Sequence, residues 1–213
     1  MVLLAAINLV ASMYDAAFPA MMLSREGGSR QVMGLVNGCI GGAMLIGSVL
    51  ATVMKPPRSR VRMICNTLLF SMATENILLA LGRGALVWCV GGILGWIVIP
   101  LMNASLDATM RLNIPLDMQG RVFAARNSLQ FFTIPLGDFL GGWLVDFAFE
   151  PLMASQNPGS LLIRLFGEGK GSGAACFFAV LWVMGLAVSL LMRRDPAIWA
   201  LEGPPDDAKG ACP

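Results

Sequence analysis

The chain has no histidine and a single tyrosine, and only 13% of its residues are charged. Without histidine there is no Ser-His-Asp or Cys-His pair and no HExxH zinc helix. The cysteines Cys39, Cys65, Cys89, Cys176 and Cys212 stand singly, with no CxxC spacing. A disulfide framework or a His/Cys zinc site is therefore not expected, and no metal or cofactor is implied. Four of the five lie in apolar stretches, where a thiol packs like a small hydrophobe. No basic cluster with interleaved aromatics suggests nucleic acid. The run from Gly167 to Gly173 lacks the GxxxxGK[ST] spacing of a phosphate loop and reads as a flexible connection.

What the chain has instead is length without charge. Hydrophobic residues make up 56% of its 213 positions, and mean hydropathy is +0.71. That leaves too little polar surface to cover a soluble globule. Six apolar stretches run from Met1 to Leu23, Gln31 to Met54, Met63 to Leu81, Leu86 to Met110, Val122 to Trp143 and Gly173 to Met192. At about 1.5 Å per residue, each can cross a hydrocarbon core of about 30 Å as a helix. The expected fold is all-α and polytopic, a bundle over residues 1–194 followed by a polar cytoplasmic tail over 195–213. The first stretch opens without Lys or Arg and contains Asp15, so it reads as a retained helix and not a secretory leader.

Basic residues set the expected orientation. Lys55, Arg58, Arg60 and Arg62 follow the second span, Arg111 and Arg121 the fourth, and Arg193 and Arg194 the sixth. Those ends are assigned to the cytoplasm, which places both termini there and the chain in the plasma membrane. Arg25, Arg30 and Arg83, in short turns, and Arg164 and Lys170, in a longer loop from about Leu144 to Ser172, fall on the other side. The net charge of +2 follows from this sidedness.

Polar residues recur at helical spacing in three spans. Asn8, Ser12, Asp15 and Pro19 form one stripe. Trp96, Pro100, Asn103 and Asp107 repeat the spacing, as do Arg126, Gln130, Thr133 and Gly137, with Asn127 and Asp138 nearby. Amides and hydroxyls in such stripes can serve simply as interhelical hydrogen bonds. Carboxylates cost about 2.5 to 3.5 kcal/mol each at membrane depth, so Asp15, Asp107 and Asp138 need a cavity or a partner. Arg126, close to a helix end, can snorkel. Glu75 is expected to reach the outer interface or Arg83. The small residues Gly34, Gly38, Gly41, Gly42, Gly47 and Ser48, and the GxxxG pairs Gly91/Gly95 and Gly137/Gly141, read as packing faces. The plain third and sixth spans are expected to form a lipid-facing wall.

Spans one and four are both interrupted by proline and polar residues. That matching pattern points to an inverted three-plus-three repeat with a midplane site between its halves. The stretch Pro115-Leu-Asp-Met-Gln-Gly120-Arg121-Val-Phe-Ala-Ala-Arg126-Asn127, with Pro135, Leu136, Gly137, Gly141 and Gly142 following, resembles the tenth connection and eleventh helix of major facilitator superfamily exporters, in the macrolide-efflux and enterobactin-exporter-like branch. The basic loop from Lys55 to Arg62, after Gly47, resembles the superfamily's signature between helices two and three, without its acidic residue and second glycine.

The resemblance extends to about Arg194 and implies the C-terminal six helices of a twelve-helix transporter. Spans one, two, four and five would line the path, and an N-terminal half or a second copy would complete it. It implies proton-coupled efflux of amphipathic compounds, with Asp15 as the coupling carboxylate and Asp107 and Asp138 as alternates. Lys55, Arg58, Arg60, Arg62, Gly120 and Arg121 would serve cytoplasmic gating or topology. No enzyme is expected. Two alternatives stand beside transport. One is a non-transporting partner or scaffold bundle. The other is an intramembrane aspartyl protease, since Tyr14-Asp15 and Leu136-Gly137-Asp138-Phe139 echo the presenilin pair, although Pro135 replaces that motif's glycine.

Overall fold

The computed structural model describes residues 2–157 and 159–202, which form helices and short connections with no strand among them. α1 runs Val2–Ser24, α2 Arg30–Val53 and α3 Arg60–Leu81. The fourth span is split into α4, Ala85–Trp96, and α5, Ile99–Asn113. α6, Leu116–Leu144, passes through a π-helical turn, Val145–Phe149, into α7, Glu150–Ala154. α8 is Leu161–Phe166, α9 is Ser172–Arg194 and α10 is Pro196–Trp199. Six helical stretches are long and apolar enough to cross a bilayer, the architecture of a multi-pass membrane protein.

Local chemistry sets the boundaries. Ser29 and Ser59 cap α2 and α3, their hydroxyls accepting from the Val32 and Arg62 N–H groups. Pro56 and Pro57 keep α2 from running into α3. Pro19 lies within α1 without ending it, whereas Pro100 sits in the first turn of α5, where its missing N–H is harmless. The two residues before α5, Ile97 and Val98, form the break in span four.

The fifth span corrects the sequence reading. The segment from about Leu144 to Ser172 is not one long loop. The Val145 N–H bonds both the Gly141 and Gly142 carbonyls, and the chain widens into the π-turn and continues as helix to Ala154. Two carboxylates, Asp146 and Glu150, lie in this helical continuation. They are accommodated because α6 alone, at 29 residues, already exceeds the roughly 20 a bilayer needs. The glycine run that follows is fixed as well. The Glu150 carboxylate accepts from the Gly171 N–H at 2.9 Å, and Gly173 lies against the backbone of Phe149 and Glu150.

The first span packs on the fifth and sixth, the second on the fourth, and the third on the fourth and sixth. Spans three and six do not form an outer wall. Half of the most apolar part of α3 and 44% of that of α9 are buried within the bundle, against 17% for α2 and 22% for the fifth span. α3 turns Thr67, Ser71, Glu75 and Asn76 inward, and the Trp182 indole of α9 donates to the Ala73 carbonyl at 2.9 Å. The core between them is built on Trp88, Phe177, Phe178, Met21 and Met22. On α2, only Gly47 is in tight contact, against the Ile97 carbonyl at the break. Gly34, Gly38, Gly41 and Gly42 face open space, so most of that small-residue stripe packs on nothing in this chain.

At the opposite end from the basic loops, Arg25 is 7% exposed. Its guanidinium donates to the Leu79 carbonyl at 3.0 Å and the Phe166 carbonyl at 3.2 Å, closing the ends of α3 and α8. At the basic end, the residues after Arg194 are not simply a solvated tail. Ile198 and Trp199 pack on a small cluster around Val61, Ile64 and Met192. The Leu201 carbonyl accepts from Asn113 at 2.8 Å. Asn113, Ile198 and Leu201 border a partly open, mostly apolar cavity of about 520 Å³. Residues 203–213 of the tail lie outside the described residues.

Candidate functional site

α1 and α6 meet almost backbone to backbone because Gly137 and Gly141 have no side chains there. A Cβ on Gly137 would lie 2.5 Å from the Ser12 Cβ, and one on Gly141 would lie 2.8 Å from the Met13 carbonyl. This approach brings Asp15 and Asp138 close enough to act electrostatically on each other. Both are exposed on the surface of the bundle. Asn8 and Ser12 do not join them in a polar path. The Ser12 hydroxyl is buried at the helix contact and donates to Asn8 O at 2.9 Å, and the Asn8 amide donates to Leu4 O at 3.1 Å. Both bonds stay within α1.

The second polar group bridges α5 and α6. Arg126 Nη1 lies 2.7 Å from Asp107 Oδ1, with the Arg126 side chain 13% exposed and that of Asp107 46%. Arg126 therefore pairs instead of snorkelling, and its Nε is buried without a bond. Asn103, one turn before Asp107, is exposed, and Gln130, one turn after Arg126, is half-buried. Trp96 does not continue this stripe. The break at Ile97 and Val98 interrupts the helical register between Trp96 and Asn103, so spacing counted through Pro100 loses its meaning.

Trp96 instead turns into the bundle and donates to Glu75 Oε1 at 2.6 Å. Glu75 is 5% exposed and does not reach Arg83, which donates to the Arg164 carbonyl. The room for this carboxylate is made by Gly95, where a Cβ would fall 2.5 Å from Glu75 Oε2. Tyr14, buried and 6.4 Å from the Trp96 ring centroid, adjoins the same carboxylate. Its hydroxyl makes no hydrogen bond of standard geometry. Sequence reasoning sent Glu75 toward the outer interface or Arg83 and did not count it among the candidate site residues. The available signal was a lone acidic residue in the middle of a span, opposite a helix with Gly91 and Gly95.

Lys55, Arg58, Arg62, Gly120 and Arg121 are exposed and Arg60 half-buried, all at the end where the α2–α3 and α5–α6 connections lie. The Gln119 amide ties the second connection by donating to the Arg111 and Ile114 carbonyls. At the other end, Arg25, Arg83, Arg164, Glu26 and Glu168 border an open cavity of about 820 Å³. Among the described residues, no group of three or more His, Cys, Asp and Glu converges to hold a metal ion. The chain matches no known protein family, no curated protein and no solved structure.

Proposed function

We propose that this chain is a six-helix half of a secondary transporter of the major facilitator type, exporting amphipathic small molecules in exchange for protons. The observation that carries the reading is the exposure of Asp15 and Asp138 on the bundle surface, on spans meant for lipid, with neither paired to a cation among the described residues. At about 2.5 to 3.5 kcal/mol per uncompensated charge, such a face is not stable against acyl chains. It fits a bundle whose polar side borders water and a second bundle, either an N-terminal half or another copy of this chain.

The pattern of packing supports the same reading. Exchanging spans one, two and three for four, five and six turns the one–five contact into four–two and the three–four contact into six–one, and returns three–six to itself. Each of these contacts is present, a pattern compatible with a three-plus-three repeat. Asp15 is the coupling carboxylate in this account. Its neighbour Asp138 makes the energy of a second charge there depend on the first.

Expressed in cells lacking their own multidrug exporters, with its partner half where one exists, the wild-type chain should lower macrolide accumulation in a proton-gradient-dependent manner. Asp15→Asn should return accumulation to the level of cells without the protein. Full drug resistance in Asp15→Asn would reject the assignment. The adjacency of Asp15 and Asp138 also favours a second reading, in which paired carboxylates share a proton and hydrolyse a peptide in the membrane. Cleavage of a membrane substrate lost in both Asp15→Ala and Asp138→Ala, with no effect on drug accumulation, would select it.

A further inference from the structure

We infer that Glu75 is a proton-binding site in the interior of the bundle, reached through Tyr14 and read out by Trp96 at the break in span four. The inference concerns a different carboxylate from the exposed ones and does not require the chain to transport anything.

The site is built from three helices. α3 supplies the carboxylate, which is 5% exposed. α4 supplies the Trp96 N–H at 2.6 Å and, through the missing side chain of Gly95, the space for Oε2. α1 supplies the Tyr14 ring, held by Phe178 of α9 edge-on at 5.3 Å. The titratable and charged groups acting on Glu75 are Tyr14 and Asp15, both from α1. No cation is among those groups, so the negative charge has hydrogen bonds and nothing else to balance it.

The two neighbours differ in what they can do. An indole N–H only donates, whereas a phenol both donates and accepts. With Glu75 ionised, Trp96 donates to the carboxylate, and the adjoining Tyr14 hydroxyl is free to turn and donate to it as well. When a proton arrives, the new carboxyl O–H donates to the Tyr14 oxygen, whose own hydrogen turns away. The Trp96 N–H keeps an acceptor but loses its charge-assisted partner. The Tyr14 hydroxyl, buried and without a bond, is the spare capacity this exchange needs. Asp15 follows Tyr14 directly in the chain and lies on the exposed surface, so one turn of α1 carries a proton acceptor outside and the phenol inside.

The consequence falls on span four. Trp96 is the last residue of α4, and the carbonyl of Ile97, next in the chain, abuts Gly47 of α2. The Glu75–Trp96 bond thus fixes α3 to the end of α4 where the span is already interrupted. Proton binding changes the strength of that one fastening.

The test uses the full chain in lipid nanodiscs, labelled with 5-fluorotryptophan, with the Trp96 resonance among the five identified through Trp96→Phe. Over about pH 4 to 9, the Trp96 fluorine shift should follow a single proton step. Asp15→Asn should move its midpoint without removing it, Glu75→Asp should retain a step, and Glu75→Gln should abolish it. A Trp96 signal that does not respond to pH, or an unaltered step in Glu75→Gln, overturns the inference. Should Glu75→Gln not fold, carboxyl-¹³C glutamate in the wild-type chain decides. Glu75 is the buried glutamate of the bundle, its signal is identified by its loss in Glu75→Asp, and a Glu75 carboxyl signal that does not titrate together with the Trp96 step overturns the inference. Neither readout involves efflux, so this inference and the transport reading fail separately.

Discussion

Gly173→Ala is expected to lower the stability of the bundle by about 3 kcal/mol or more, the upper range for overpacking. The added methyl would meet backbone, 2.5 Å from the Glu150 N, 2.6 Å from its Cα and 2.6 Å from the Phe149 carbonyl carbon. A flexible side chain could turn aside, but the backbone of a π-turn whose Glu150 N–H is already bonded to the Val145 carbonyl cannot. The first residues of α9, from Ser172 to Phe178, are all buried, so the clash must push apart the contact between spans five and six. Gly41→Ala is the matched control, because nothing lies within 4 Å of its Cβ position. That variant should be neutral or gain up to about 1 kcal/mol of helix propensity. Thermal unfolding in detergent, followed by circular dichroism, compares the two. Equal midpoints would mean that the packing around the π-turn is wrong.

Arg25→Met is expected to be nearly as damaging, at about 3 kcal/mol from two charge-assisted bonds. Methionine keeps much of the length and the apolar stem but leaves the Leu79 and Phe166 carbonyls without their donor. Both belong to helix ends, where carbonyls have no partner within the helix. Arg25→Lys should recover only part of the loss, since a point charge cannot fork between two acceptors. Burial, and then the nearby Arg83, lowers the Arg25 pKa to about 10, so the cation persists at neutral pH. The loss in Arg25→Met should therefore be the same at about pH 6 and pH 8, since neither state changes its protonation there. Hydrogen exchange should speed up first at the end of α3. Unchanged protection there would show that other groups close these helix ends.

Much of this architecture is legible in the sequence because lipid imposes simple demands. Six apolar lengths must be helices, and the structure has six such helices. The pairs Gly91/Gly95 and Gly137/Gly141 signalled close helix contacts, and each fits against a neighbouring helix. The interruption of span four was visible in Pro100, though its effect on register was not. A stripe counted through a break puts Trp96 on a face it does not occupy.

Other features needed three dimensions. Hydropathy alone made spans three and six look lipid-facing. Yet α3 buries the small and polar set Thr67, Ser71, Glu75 and Asn76, with the Thr67 hydroxyl and the Asn76 amide donating to carbonyls one turn back in α3 itself. Glu75 is the clearest case, because its donor lies 21 residues away on another helix. Conversely, the glycines of α2 promised packing that this chain does not supply. The helical extension beyond Leu144 carries Asp146 and Glu150, which a π-turn and Gly171 accommodate.

The central claim is that the face bearing Asp15 and Asp138 borders water at membrane depth. Nitroxide labels placed one at a time through Asp15→Cys, Asp138→Cys and Leu45→Cys, in a chain with its five native cysteines replaced by serine, test it in a bilayer. The account predicts that labels at positions 15 and 138 collide with a water-soluble nickel complex, while the label at position 45, on the exposed apolar side of α2, collides with oxygen dissolved in lipid. Oxygen-dominated collisions at all three positions would contradict it.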